Sequence, residues 1–158
     1  MLTVIKAPTK ISKHELNAFT IFLAGSIDQG NAVDWQLALS NKLVNYDAIL
    51  FNPRRQEWNA KLKQSIDEPS FLEQVTWEQH YLHSADFRIF YFTKDSKAPI
   101  TFMELGQTIT KPGIICCEEG FYRTGNLEIT AKLNGMPIVS NMDDLLKHLK
   151  VLISAKQW

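Results

Sequence analysis

Short, nearly apolar runs alternate with longer amphipathic ones along most of this sequence, and that alternation constrains the fold more than any other feature. Strands buried on both faces read as continuous apolar runs, whereas covering helices show an apolar residue every three or four positions. Thr20–Ala24 reads as a strand ending at Gly25. Val33–Tyr46 carries Trp35, Leu39, Leu43 and Tyr46 at helical spacing, and Ala48–Phe51 is a second strand stopped by Asn52-Pro53. Ser70 with Glu73 three residues on predicts a capped helix through about His83. Asp86–Phe92 is the third and most hydrophobic strand. Pro99 suits the first turn of a helix to about Thr110, which Pro112-Gly113 closes. Ile114–Cys117 and Pro137–Val139 are further strands, Leu127–Leu133 a short helix and Met142–Ile153 the last one; Met1–Lys6 can add an edge strand. The expectation is an α/β chain: one domain over residues 1–158, a flavodoxin-like or Rossmann-like doubly wound sheet of about five parallel strands with helices on both faces.

The charges exclude one class of partner. Lys+Arg and Asp+Glu both number 17, so no basic field exists to hold a nucleic-acid polymer. No apolar run reaches membrane-spanning length, and no basic start is joined to a signal-like apolar stretch. Cys116 and Cys117 are adjacent, so in a strand they face opposite sides and are poorly placed to pair. These features predict a cytoplasmic protein without membrane contact.

In a doubly wound sheet the ligand crevice lies beyond the carboxyl ends of the strands. There the sequence gathers Gly25–Asp28, Asn52–Arg55, Thr93–Pro99 and Glu118–Asn126, which are rich in polar and charged residues. Two acids are out of keeping with their neighbours. Glu104 sits among Phe102, Met103 and Leu105 on an apolar helix, and Asp86 opens an otherwise apolar strand. A buried, unpaired carboxylate is costly, so each needs a partner or a purpose. Two carboxyls in unlike environments suit glycosyl transfer, one attacking the anomeric carbon and the other serving the leaving group, roughly 5 Å apart in retaining enzymes. A strand-starting acid and a helix acid paired with Lys94 or Lys97 would explain the same pattern without catalysis.

Several blocks in order, FLAGSID (Phe22–Asp28), WQ (Trp35-Gln36), NPRRQEW (Asn52–Trp58), FLEQVTWE (Phe71–Glu78), ADFRIFYF (Ala85–Phe92), ITFMELG (Ile100–Gly106) and GFYRTGNLEI (Gly120–Ile129), resemble those of the nucleoside 2-deoxyribosyltransferase-like family. The resemblance implies that Glu104 is the nucleophile of a covalent glycosyl-enzyme and that Asp86 protonates the leaving base. It implies that Asp95 and Ser96 hold the sugar hydroxyls, that Gly25 and Ser26 floor the site, and that Asn126 reaches the neighbouring subunit of a homo-oligomer. Phe22 stands where the family's transferases carry a tyrosine that orients the nucleophile, and Asp28 where related glycosidases bind a 5′-phosphate, which disfavours a monophosphate there.

Other residues keep two readings. Arg54 and Arg55 could grip a phosphate or a base edge, or be solvated loop arginines. Trp58 could stack on a base or pack over the sheet, and Asn52 and Pro53 in the same block are candidate substrate-binding residues. His80, His83 and Glu78 have a faintly metal-like spacing but lack a further ligand, so no metal or other cofactor is expected. The expected function is cleavage of a nucleoside N-glycosidic bond and transfer of the deoxyribosyl group to another base. The rivals are a nucleoside or nucleotide hydrolase and an inactive nucleotide-sensing module.

Overall fold

The computed structural model describes residues 1–12, 15–27, 32–55, 59 and 61–156. Among these described residues six strands and five helices follow in the order β1 (Thr3–Lys6), β2 (Phe19–Gly25), α1 (Trp35–Lys42), β3 (Ala48–Asn52), α2 (Pro69–Ser84), β4 (Phe87–Phe92), α3 (Pro99–Thr108), β5 (Gly113–Cys117), α4 (Thr124–Asn134), β6 (Ile138–Val139) and α5 (Met142–Ala155). All strands are parallel in one sheet ordered β1-β3-β2-β4-β5-β6. The doubly wound expectation holds, and the first residues add the sixth strand at the edge.

Alternation along the strands sends side chains to two cores. Phe22, Phe51, Phe90, Phe92 and Ile115 meet Trp77, Tyr81 and Leu82 of α2, Leu105 of α3, and Leu127 and Ala131 of α4. Ile21, Leu23, Leu50, Ile89 and Ile114 meet Trp35 and Leu39 of α1 and Leu145, Leu149 and Ile153 of α5 on the other face. Cys116 and Cys117 are free thiols divided between the two cores, as their adjacency in a strand requires.

Two local expectations are corrected. Ser70 does not cap α2: Glu68 occupies the cap position without a side-chain bond, and Pro69 begins the helix with its preset φ. The first helix is shorter than its apolar spacing suggests, starting at Trp35 behind the Asp34 cap and ending at Lys42.

The chain leaves β2 for β3 on one side and returns to β4 on the other, so the order reverses between β2 and β4. The loops after these two strands therefore diverge at a switch point, where a doubly wound sheet opens its ligand crevice. Among the described residues, no helix is long and apolar enough to cross a membrane.

Candidate active site

Gly25 and Ser26 lie at the switch point. A Cβ on Gly25 would stand 2.4 Å from the Trp35 ring and 2.7 Å from the Tyr91 carbonyl, so no side chain fits there. Trp35 stacks on Tyr91 with centroids 4.6 Å apart and donates from Nε1 to the Ser26 carbonyl. The backbone N–H of Ser26 donates to Tyr91, and the Ser26 and Ser96 hydroxyls share a 2.5 Å hydrogen bond. The Ser96 hydroxyl is also bonded to the Thr93 carbonyl. The β2 and β4 loops are thereby tied together through Gly25, Ser26 and Ser96. Asp95 is exposed on the same β4 loop.

Beyond that loop, Ala98 takes a left-handed conformation (φ 49°) before Pro99 starts α3. A residue other than glycine seldom sits there, and such strain concentrates at functional segments. Less than two helical turns further on, α3 presents Glu104, only 4% exposed. Burial and the nearby Glu78 push its pKa up to about 8, and among the described residues no cation or hydrogen-bond donor offsets that shift.

The acid beside Glu104 is thus Glu78 of α2. Burial raises the Glu78 pKa too, opposed by a hydrogen bond from Gln74 and by the Arg55 charge. Gln74 Nε2 donates to Glu78 Oε1 at 2.6 Å and to the Pro53 carbonyl at 2.9 Å, while Arg55 Nε donates to Gln74 Oε1. Pro53 directly follows β3, so this group of side chains lies at the carboxyl end of the sheet. Two neighbouring carboxyls withdrawn from water resist ionising together.

Asp86 does not join them, which corrects the expected pairing. Its Oδ2 accepts from the Thr20 N–H at 2.9 Å and the Thr20 hydroxyl at 2.7 Å, and the Thr20 hydroxyl oxygen accepts from the Asp86 N–H. This exposed carboxylate fastens the start of β4 to the start of β2, at the amino edge of the sheet. The six residues of β4 span about 20 Å from that edge to the crevice.

Phe22 is likewise a core residue rather than a substrate contact: it is 0% exposed in mid-strand and packs against Trp77. Asn52 is buried and its Oδ1 accepts from the Arg54 N–H. The Arg54 guanidinium donates to the carbonyls of Ala32 and Val33 and pairs with Asp34 at 3.7 Å, holding the turn before α1. Asn126 is exposed on α4, in a shallow groove with Phe102, Tyr122 and Arg123. Asp28 and Trp58 lie outside the described residues. No His, Cys, Asp and Glu grouping suited to a metal occurs among the described residues.

Sequence reasoning missed Glu78 and Gln74, although a signal was present. Gln74, Trp77, Glu78 and Tyr81 follow the i, i+3, i+4, i+7 spacing of an inward stripe. Polar residues in such a stripe turn inward and must be paired or used.

The family model for nucleoside 2-deoxyribosyltransferase-like proteins matches residues 18–121, from the start of β2 to the loop after β5. No curated protein matches the sequence. Among solved structures, a conserved protein from Enterococcus faecalis V583 superposes with a TM-score of 0.61 at 14% identity, covering 84% of this chain and 98% of that one. At that identity the likeness shows the fold alone.

Proposed function

The chain belongs to the nucleoside 2-deoxyribosyltransferase-like family, and we propose that it cleaves the N-glycosidic bond of a 2-deoxynucleoside, with Glu104 as nucleophile and Glu78 as acid. The observation that carries this reading is the pair itself, a buried Glu104 beside a half-buried Glu78 at the carboxyl end of the sheet. At rest Glu104 holds its proton; the reactive state is reached when that proton passes to Glu78 and leaves Glu104 ionised. A Glu104 oxygen attacks C1′, the C1′–N bond breaks, and its electron pair leaves with the base as Glu78 delivers the proton. Glu78, now a carboxylate, takes a proton from the incoming acceptor, which displaces Glu104 from C1′. A sugar without a 2′-hydroxyl better tolerates the positive charge that develops in this step.

A second base as acceptor makes the protein a deoxyribosyltransferase; water makes it a hydrolase. Ser26 and Ser96, with Asp95 beside them, are the groups proposed to meet the sugar. Exposed Asn126 is proposed to complete the site of a neighbouring copy in a homo-oligomer.

Product analysis tests the reading. A deoxynucleoside incubated with a different free base yields a new nucleoside under transfer, and free deoxyribose with or without that base under hydrolysis. Glu104→Ala is expected to abolish both while ligand binding persists; an inactive sensing module would bind without turnover already in the wild type. Normal turnover by Glu104→Ala removes Glu104 from the mechanism.

A further inference from the structure

Arg55 and Gln74 form a hydrogen-bonded chain that ends on Glu78, and its polarity is fixed at the first link. A guanidinium only donates, so the Gln74 amide must turn its oxygen toward Arg55. Its nitrogen then faces the other way, and both N–H groups are taken, one by the Pro53 carbonyl and one by Glu78 Oε1. A proton on Glu78 Oε1 would collide with the N–H that donates to it. We infer that Arg55 and Gln74 are positioning residues that confine the Glu78 proton to Oε2 and stabilise the carboxylate left when that proton departs.

This rests on the reading of Glu78 as the acid. The chain is internal: Gln74 is 6% exposed, and Arg55 keeps a buried Nη2 without a partner among the described residues. The charged groups facing Glu78 are Arg55, from the loop after β3, and Glu104, from α3. Arg55 favours the Glu78 carboxylate, and the charge on Glu78 in turn raises the Glu104 pKa. The amide bond adds to Arg55's effect, so the two positioning residues make Glu78 a stronger acid and fix the oxygen from which it donates. A side chain that merely filled this space would do neither.

Carboxyl titration by NMR on protein labelled at the glutamate Cδ carbons reads the effect without turnover, with the Glu78 signal assigned from Glu78→Gln. Gln74→Met keeps the volume and deletes both hydrogen bonds; it should raise the Glu78 midpoint by about one pH unit. Arg55→Met should raise it as well, and Arg55→Lys, which keeps charge and donor, should return it most of the way. The same variants should cut kcat/KM for a nucleoside about tenfold or more. Turnover of a p-nitrophenyl 2-deoxyriboside, whose leaving group needs no proton, should fall less than about threefold. Because Gln74→Met can affect folding, the Arg55 pair serves as the independent measurement.

Unmoved midpoints in Gln74→Met and Arg55→Met overturn the inference even if the wild-type protein cleaves nucleosides. Shifted midpoints in a wild-type background that cleaves no nucleoside support the hydrogen-bonded chain and reject the glycosyl reading instead.

Discussion

Glu104 should make the folded protein less stable as the pH rises, and replacing it with glutamine should remove that loss. In the unfolded chain its carboxyl ionises near its ordinary value of 4.5, but in the fold burial and Glu78 hold it protonated up to about 8. Between these values the unfolded state binds fewer protons than the folded one, so stability declines as the pH climbs through the window and levels off above it. At about 1.4 kcal/mol per pH unit, the loss from this one group is about 1 kcal/mol at pH 5, about 3 at pH 7 and about 5 at pH 9. These are upper bounds, because a relaxed interior solvates charge better than a rigid one.

Glu104→Gln carries the same shape with no titrating proton. Its advantage over wild type should therefore grow from pH 5 to pH 8 and then flatten, raising Tm at pH 7 by about 6–12 °C for a domain of this size. Denaturation by urea, read at several pH values between 5 and 9, measures the difference directly. An advantage that stays constant with pH, or wild-type stability that rises across the window, would refute the reasoning. A residue kept at such a cost to stability fits a site where activity and stability conflict.

Asp86→Asn should lose about 1–2 kcal/mol through the weakened bonds to Thr20, while kcat per folded molecule stays within about twofold of wild type in a product assay. Arg88, 2% exposed, donates to the carbonyls of Leu82, His83 and Ala85 at the end of α2 and to Pro112. Arg88→Met removes the guanidinium donor from the Leu82 and Ala85 carbonyls and should cost about 2–3 kcal/mol, seen as a lower urea midpoint. Gly25→Ala forces its new carbon into Trp35 or the Tyr91 carbonyl and should cost about 1–3 kcal/mol, with a changed near-ultraviolet signal from the displaced indole.

Much of the architecture was legible because burial on both faces leaves a plain trace in runs such as Phe87–Phe92 and Gly113–Cys117. Glu104 was legible too, as an acid with apolar neighbours on a helix. Asp86 shared that oddity for a different reason: its carboxylate replaces a backbone partner at the start of the sheet. Strand direction already separates the two acids, since a residue opening a parallel strand lies at the amino edge and the helix that follows begins at the carboxyl edge. Phe22 matched a family position by sequence, yet the alternation of β2 sends its ring into the core against Trp77. Glu78 stayed hidden because its partner in charge comes from another helix, which periodicity along one segment does not reveal.

The central claim is that Glu104 forms a bond to the sugar, and trapping that bond tests it most directly. A 2′-deoxy-2′-fluoro nucleoside slows both steps by withdrawing electron density from C1′, so the intermediate should accumulate. Intact-mass spectrometry followed by peptide mapping should find one fluorinated sugar on the peptide containing Glu104, and none in Glu104→Gln. The sugar attached to any other residue, or steady cleavage of the natural substrate by Glu104→Gln, would contradict the account.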